Sequence, residues 1–122
     1  NDVKSDYLSL CLDSAHLTYS GISPYEAILK YNSIVKHMHF KDVNKEILTN
    51  VYDEKLDFDT AVSKGVFAPL GSGMVDFKKI YECLKKINYH GFATIEQDID
   101  PTQGLNALEY AKKSLKHLNQ VN

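Results

Sequence analysis

Asp, His and Glu close three short segments of this chain, and together they make a donor set suited to one divalent cation. The segments are Leu12-Asp13-Ser14-Ala15-His16, His37-Met38-His39-Phe40-Lys41-Asp42 and Thr94-Ile95-Glu96-Gln97-Asp98. Two carboxylates (Asp13, Glu96) and an imidazole (His39) give mixed oxygen and nitrogen ligation, which favours Mn²⁺ or Co²⁺ and accommodates Mg²⁺ or Zn²⁺. A cation so held polarises a substrate oxygen. His37 and His39 lie two apart and share a face, and His39, nearer the strand end, is the better ligand. Lys41 has the same parity and could polarise a substrate oxygen. His37, and His16 three residues past Asp13, are further candidates for substrate contact. Each group also has a plainer reading. Asp13 before Ser14 is a cap or turn former, the His-x-His pair is hydrogen-bonded interior filling, Lys41 is solvated, and His16 is a loop histidine. Asp98 lies farther out than Glu96 and reads as a cap. The metal reading is favoured because all three strands end on a ligand type of inward parity.

The elements that must position these groups can be read from the periodicity. Residues 7–13 alternate, with Leu8, Leu10 and Leu12 on one face and Tyr7, Ser9, Cys11 and Asp13 on the other. Ser23-Pro24-Tyr25-Glu26 has the pattern of a capping box with proline at the first helical position, and Ala27, Ile28 and Tyr31 continue an apolar stripe. The second strand, about 34–41, separates Ile34, Met38 and Phe40 from Val35, His37, His39 and Lys41. Residues 43–75 form a long connection, of the kind that makes lids or binding loops, with a short helix expected near 59–64. Within it Gly71-Ser72-Gly73 is too short for a phosphate loop and reads as a flexible turn. Asp76 caps a second long helix carrying Phe77, Ile80, Leu84 and Ile87 on one stripe, and Asn88 to Gly91 end it. The third strand runs about 92–96, followed by a turn at Pro101 and Gly104. Asn106 with Glu109 opens a last helix, whose Leu108, Ala111, Leu115 and Leu118 are expected to be buried.

The order β-α-β-α-β-α predicts an α/β fold with a parallel sheet, right-handed crossovers, neighbouring consecutive strands and helices on one side. A doubly wound sheet would be apolar on both faces. Here the second face carries Tyr, Ser, Cys, Asp, His, Lys, Thr and Glu, which suits the interior and upper rim of a (β/α)8 TIM barrel. Three βα units make less than half of such a barrel.

With 122 residues, 43% hydrophobic and 25% charged, one domain over residues 1–122 with a packed core is expected. The net charge of −2 and the lack of a basic run argue against a nucleic-acid partner. All 14 basic residues are lysine, so substrate anions cannot meet a bidentate arginine. No stretch nears the roughly 20 apolar residues of a membrane span, and no signal peptide opens the chain, so no membrane partner is expected and the location expected is cytoplasmic. Cys11 and Cys83 are far apart at apolar positions and read as buried thiols, with no disulfide or zinc pattern. The sequence begins at Asn1, without methionine, close before a strand pattern, which reads as a cut edge.

Longer stretches carry a resemblance: Leu12 to Thr18, Lys36 to Val43, Gly65-Val66-Phe67 with Gly71 to Phe77, Gly91 to Pro101, and Asn106 to Ser114. They resemble the inosose dehydratases of myo-inositol catabolism, lyases of the xylose-isomerase-like TIM-barrel superfamily of sugar isomerases and epimerases. The likeness covers nearly the whole chain and corresponds to the C-terminal part of the barrel, its sixth to eighth strands. It implies a metal site of Glu, Asp, His and Glu from four consecutive strands. Asp13, His39 and Glu96 match the last three places, and the first glutamate would come from a strand before Tyr7. His16 matches a substrate-contacting histidine. The implied substrate is a small cyclic polyol or keto-sugar, 2-keto-myo-inositol, dehydrated through a metal-stabilised enediolate. Catalysis would fall to a carboxylate base, Glu96, and to His16 as the acid that protonates the departing hydroxyl. Isomerisation or epimerisation of a ketose would use the same donors, and the matches around Gly65–Phe77 and Gln97–Pro101 favour the dehydratase. A reading of another class is an inactive barrel fragment with its metal site empty. Its open sheet edges would pair it with a second copy as a homodimer, or with the N-terminal half of the barrel.

Overall fold

The computed structural model describes residues 7–104 and 106–121; Asn1 lies outside the described residues. Along the chain run β1 (Leu10–Asp13), α1 (Ser14–Tyr19), α2 (Pro24–Lys30), β2 (Val35–Phe40) and β3 (Asp42–Val43). They are followed by α3 (Lys45–Glu54), α4 (Phe58–Ser63), β4 (Phe67–Ala68), α5 (Phe77–Lys86), β5 (Phe92–Ile95) and α6 (Ala107–Val121). A 3-10 turn at Pro101–Gln103 precedes α6. Among the described residues no helix is long and apolar enough to cross a membrane.

The three expected strands form one parallel sheet in the order β1-β2-β5, so strands that follow each other as βα units are neighbours. Asp13 stands opposite His39, and His39 opposite Thr94, which brings the polar strand ends into one row. The other face of the sheet is apolar. Leu12, Met38 and Phe40 are buried there with Ala27 and Ile28 of α2, Phe77, Ile80 and Leu84 of α5, and Leu118 of α6. A second cluster, built from Ala15, Val43, Leu48, Val51, Ala61, Val66 and Phe67, underlies the loops at the rim.

Side-chain caps start the helices where the sequence places them. Ser23 Oγ accepts the Glu26 N–H at 3.3 Å, Asp76 Oδ1 that of Lys79 at 3.0 Å, and Asn106 Oδ1 that of Glu109 at 3.2 Å. The long connection holds more structure than expected. Besides α4, at the predicted short helix, it contains α3 and the antiparallel pair β3–β4. A signal for α3 was present: Asn44 caps Ile47 at 3.1 Å, and Leu48 and Val51, three apart, are its buried residues.

Three expectations of burial and one of flexibility are corrected. Pairing steps from Leu10 opposite Val35 to Cys11 opposite His37, passing over Lys36, so Val35 joins the core while Ile34 is exposed. Cys11 is exposed rather than buried, because it stands on the polar face; Cys83 is buried. On α6 the buried positions are Ser114 and Leu118, one turn apart, and Leu108, Ala111 and Leu115 face outward. Ser114 can be buried because its hydroxyl accepts the Leu70 N–H at 3.0 Å. The Gly71-Ser72-Gly73 turn is fixed: the N–H groups of Gly71 and Gly73 both donate to Asp42 Oδ2 at 2.9 Å. A side chain at Gly73 would run into Asp42 Oδ1 and the Val43 carbonyl.

Candidate functional site

Strand pairing places the three donors of the sequence reading at one end of the sheet. One ligand atom each of Asp13, His39 and Glu96 lies within 4.8 Å of the other two. His39 Nδ1 is paired with Glu96 Oε2 and lies 3.7 Å from Asp13 Oδ2. Glu96 follows the last residue of β5, and its backbone N–H still donates to the Phe40 carbonyl at 3.0 Å, which holds it level with the end of β2.

Asp13 has two roles because its two oxygens are used differently. Oδ1 accepts the N–H groups of Ala15 and His16, each at 2.8 Å, and so caps α1. The cap reading is therefore correct for one oxygen. Oδ2 is buried and accepts no hydrogen bond. A buried carboxylate oxygen without a donor is costly unless a positive charge completes it.

Lys41 explains why that oxygen lacks a donor. Its side chain is fully buried, against the alternative of a solvated strand-end lysine. Nζ donates to Glu96 Oε1 at 2.7 Å and to Asp98 Oδ2 at 2.8 Å, and pairs with His16 Nε2 at 3.0 Å. An ammonium has three N–H donors, and these partners use all three. Asp13 Oδ2, at 3.4 Å, feels the charge without receiving a hydrogen bond. Phe67 closes the other side, its ring centroid 5.0 Å from Nζ. Burial alone would lower the Lys41 pKa, but hydrogen bonds to Asp98 and Glu96 and the charge of Asp13 raise it above the ordinary lysine value. Three carboxylates facing one ammonium leave the cluster with a formal charge of −2. A single divalent cation would neutralise it.

His16 belongs to the first turn of α1 rather than to a loop, and it stands over the rim. It lies between Phe58 and Phe67, whose ring centroids are 5.9 Å and 5.2 Å away, so its direction is fixed. His37 does not join the carboxylates. It sits deeper on the same face, with Nε2 2.9 Å from Thr94 Oγ1.

Two residues at the site escaped the sequence reading. Asp98, expected to be a cap, instead holds Lys41 and approaches His16 Nε2 to 3.7 Å. Its parity with Glu96 was the available signal. Ser14, fully buried, donates to the Lys41 carbonyl at 2.7 Å and accepts the Lys41 N–H at 3.0 Å, tying the start of α1 to the end of β2. No local pattern marks it.

Comparison with known proteins shows what the chain is similar to. The inosose dehydratase of Clostridium botulinum (strain Eklund 17B / Type B) is 40% identical over 111 residues, 91% of this chain and 37% of the relative. That of Lacticaseibacillus casei is 37% identical over 114 residues, 93% of this chain and 38% of the relative. The chain thus spans well under half the length of the relatives it matches. Among solved structures, a xylose isomerase domain protein from Planctomyces limnophilus superposes with a TM-score of 0.71 at 27% identity, over 98% of this chain and 39% of that one. A probable 3-DHS dehydratase of petrobactin synthesis from Bacillus anthracis shares the fold, with a TM-score of 0.69 at 24% identity over 97% of this chain and 40% of that one. The family described as xylose isomerase-like TIM barrel matches residues 1–121, and the chain, a parallel portion of such a barrel, belongs to that family.

Proposed function

We propose that this chain, as a single folded domain, carries part of the active site of a hydro-lyase that removes water from 2-keto-myo-inositol. The observation that carries the reading is the buried, unpartnered Asp13 Oδ2 in a cluster of formal charge −2. Similarity to the inosose dehydratases supports the choice of substrate. Asp13, His39 and Glu96 would hold a divalent cation, with Mn²⁺ or Co²⁺ the best match to mixed carboxylate and imidazole ligands. When bound, it would supply Lewis-acid stabilisation of negative charge on the substrate's ketone oxygen.

The protein's own groups do the rest. Glu96 takes the proton beside the ketone. The Lys41 ammonium, fixed before substrate arrives, offsets charge developing on the neighbouring oxygen. His16, held between two aromatic rings, protonates the hydroxyl that leaves as water; its Nε2 accepts from Lys41 in the resting site and must first take up the proton that it passes on. His37, deeper on the same face, is a candidate contact for a substrate hydroxyl.

A mass-spectrometric assay with Mn²⁺ or Co²⁺ tests the proposal. Loss of one water from 2-keto-myo-inositol is expected, and it should vanish in Asp13→Asn and in Glu96→Gln. Undiminished turnover in the double variant would refute the assignment. Product of unchanged mass would identify a ketose isomerase or epimerase instead.

A second reading concerns assembly. Phe92, on the open-edge strand β5, is 80% exposed, and Leu8 beside β1 is 58% exposed. Open edges with apolar side chains favour pairing with a second copy or with a complementary barrel half. A monodisperse monomer by sedimentation at micromolar concentration would count against the homodimer.

A further inference from the structure

The polar face of the sheet holds a second cluster of ligand atoms, reaching two residues below Asp13 on β1. At this point β1 and β2 leave simple register: Leu10 stands opposite Val35, Cys11 opposite His37, and Lys36 is passed over. An irregularity of this kind re-aims side chains. Here it sends Val35 into the core and leaves Cys11 beside His37 on adjacent strands. One ligand atom each of Cys11, His37 and His39 lies within 4.8 Å of the other two. The rings of His37 and His39 stand edge to face with centroids 5.4 Å apart. Nε2 of His37 lies 2.9 Å from Thr94 Oγ1, so Nδ1 would be the nitrogen that ligates. A hydrogen bond on the far nitrogen is the usual means of orienting a ligating histidine. Cys11 is exposed, so its sulfur can engage an ion without disturbing the core.

We propose that Cys11, His37 and His39 form a site for thiophilic cations such as Zn²⁺ or Cd²⁺, and that it excludes the carboxylate-bound cation because both sites require His39. One sulfur and two imidazoles suit a soft or borderline ion, with water as the fourth ligand. Asp13, His39 and Glu96 suit a harder one. The Cys11 thiol releases its proton to solvent as the sulfur–metal bond forms. An ion held here withdraws His39 from Asp13 and Glu96, so thiophilic metals inhibit whatever the upper site does. The soft site stands on its own geometry, and only the competition rests on the function proposed above.

The test is titration of the chain with Cd²⁺ alone, followed by thiolate-to-metal absorption in the ultraviolet. Absorption saturating at one equivalent is expected, unchanged in Cys83→Ala and lost in Cys11→Ser. His37→Gln should weaken Cd²⁺ binding by about tenfold or more, the loss typical of a disturbed ligand set. Asp13→Asn should abolish Mn²⁺ binding and leave Cd²⁺ affinity within about twofold, because the soft set contains no carboxylate. Cd²⁺ should also displace Mn²⁺, read by electron paramagnetic resonance, from the unmodified chain but not from Cys11→Ser. Cd²⁺ bound without thiolate absorption, absorption that survives Cys11→Ser, or simultaneous binding of both metals would overturn the proposal. Absence of any Mn²⁺ binding, with the Cd²⁺ absorption intact, would refute the upper site and leave this one standing.

Discussion

Asp13 and Asp42 are two aspartates at strand ends, and their surroundings complete them in opposite ways. Asp42 is fully buried, and four backbone N–H groups saturate it: Val43 at 2.8 Å and Val75 at 2.9 Å on Oδ1, Gly71 and Gly73 at 2.9 Å on Oδ2. Burial pushes its carboxyl above the ordinary range, against the downward pull of those donors. Asp13 receives two N–H groups on one oxygen and none on the other. The first is an anion whose partners come from its own chain, and it fastens the loops. The second has a position left for a positive charge. The same residue type thus serves structure or chemistry according to whether the fold completes its hydrogen bonds.

That contrast breaks most visibly at Asp42. Replacing it by alanine leaves four N–H groups without their acceptor, and a loss of about 4 kcal/mol is expected from the cost of buried unpaired donors. The denaturant midpoint reads this directly. Gly73→Ala should act in the same direction by about 2 kcal/mol, since the new methyl meets Asp42 Oδ1 and the Val43 carbonyl. Stability unchanged in both would mean that Asp42 does not fasten the loop.

Asp13→Asn should give the reverse pattern. Asparagine caps a helix as well as aspartate does, so stability should stay within about 0.5 kcal/mol. Co²⁺ affinity, by titration calorimetry, should fall by at least about a hundredfold, at or beyond the range seen when metal-site partners are removed. A large stability loss with intact Co²⁺ binding would assign Asp13 to structure, alongside Asp42.

The contrast also marks what could be read from sequence. The strand ends were legible because strand parity is local: Asp13, His39 and Glu96 each follow from alternation within a few residues. The caps at Ser23, Asp76 and Asn106 were legible for the same reason. Asp42 was not, because its donors Gly71, Gly73 and Val75 lie about thirty residues on, and only folding shows that the glycine turn encloses the protein's own carboxylate. Ser14 and Lys41 are likewise far apart in sequence. The skipped Lys36 exchanged the environments of Ile34 and Val35, which no alternation rule anticipates. On α6 the apolar stripe misled because a hydroxyl, once paired with Leu70, packs as well as an aliphatic side chain.

Lys41 sharpens the comparison from the cationic side. It is the one positive charge the fold supplies to a cluster that remains two short of neutral. Lys41→Met removes the ammonium and leaves three carboxylates without a counter-ion. A stability loss of about 2 kcal/mol is expected, below the value for a fully buried pair because Glu96 and Asp98 are each about one-third exposed. Divalent-cation affinity should rise by about tenfold, because a like charge a few ångströms away has been removed. Co²⁺ should then restore the lost stability in a concentration-dependent way. Unchanged affinity would show that the ammonium and the cation do not share these carboxylates.

Ser14 tests whether a completed polar group inside the site still behaves as structure. Its hydroxyl serves both the N–H and the carbonyl of Lys41, and nothing on it is left unpaired. By the logic that separates Asp42 from Asp13, Ser14→Ala should cost about 1.5 kcal/mol of stability, the value of a lost buried hydrogen bond. It should change Co²⁺ affinity far less than Asp13→Asn does. The hydroxyl holds the end of β2, which carries His39, against the start of α1, which Asp13 caps. An affinity loss as large as that of Asp13→Asn would therefore mean that the spacing of these two elements, and not the unpartnered oxygen, sets cation binding.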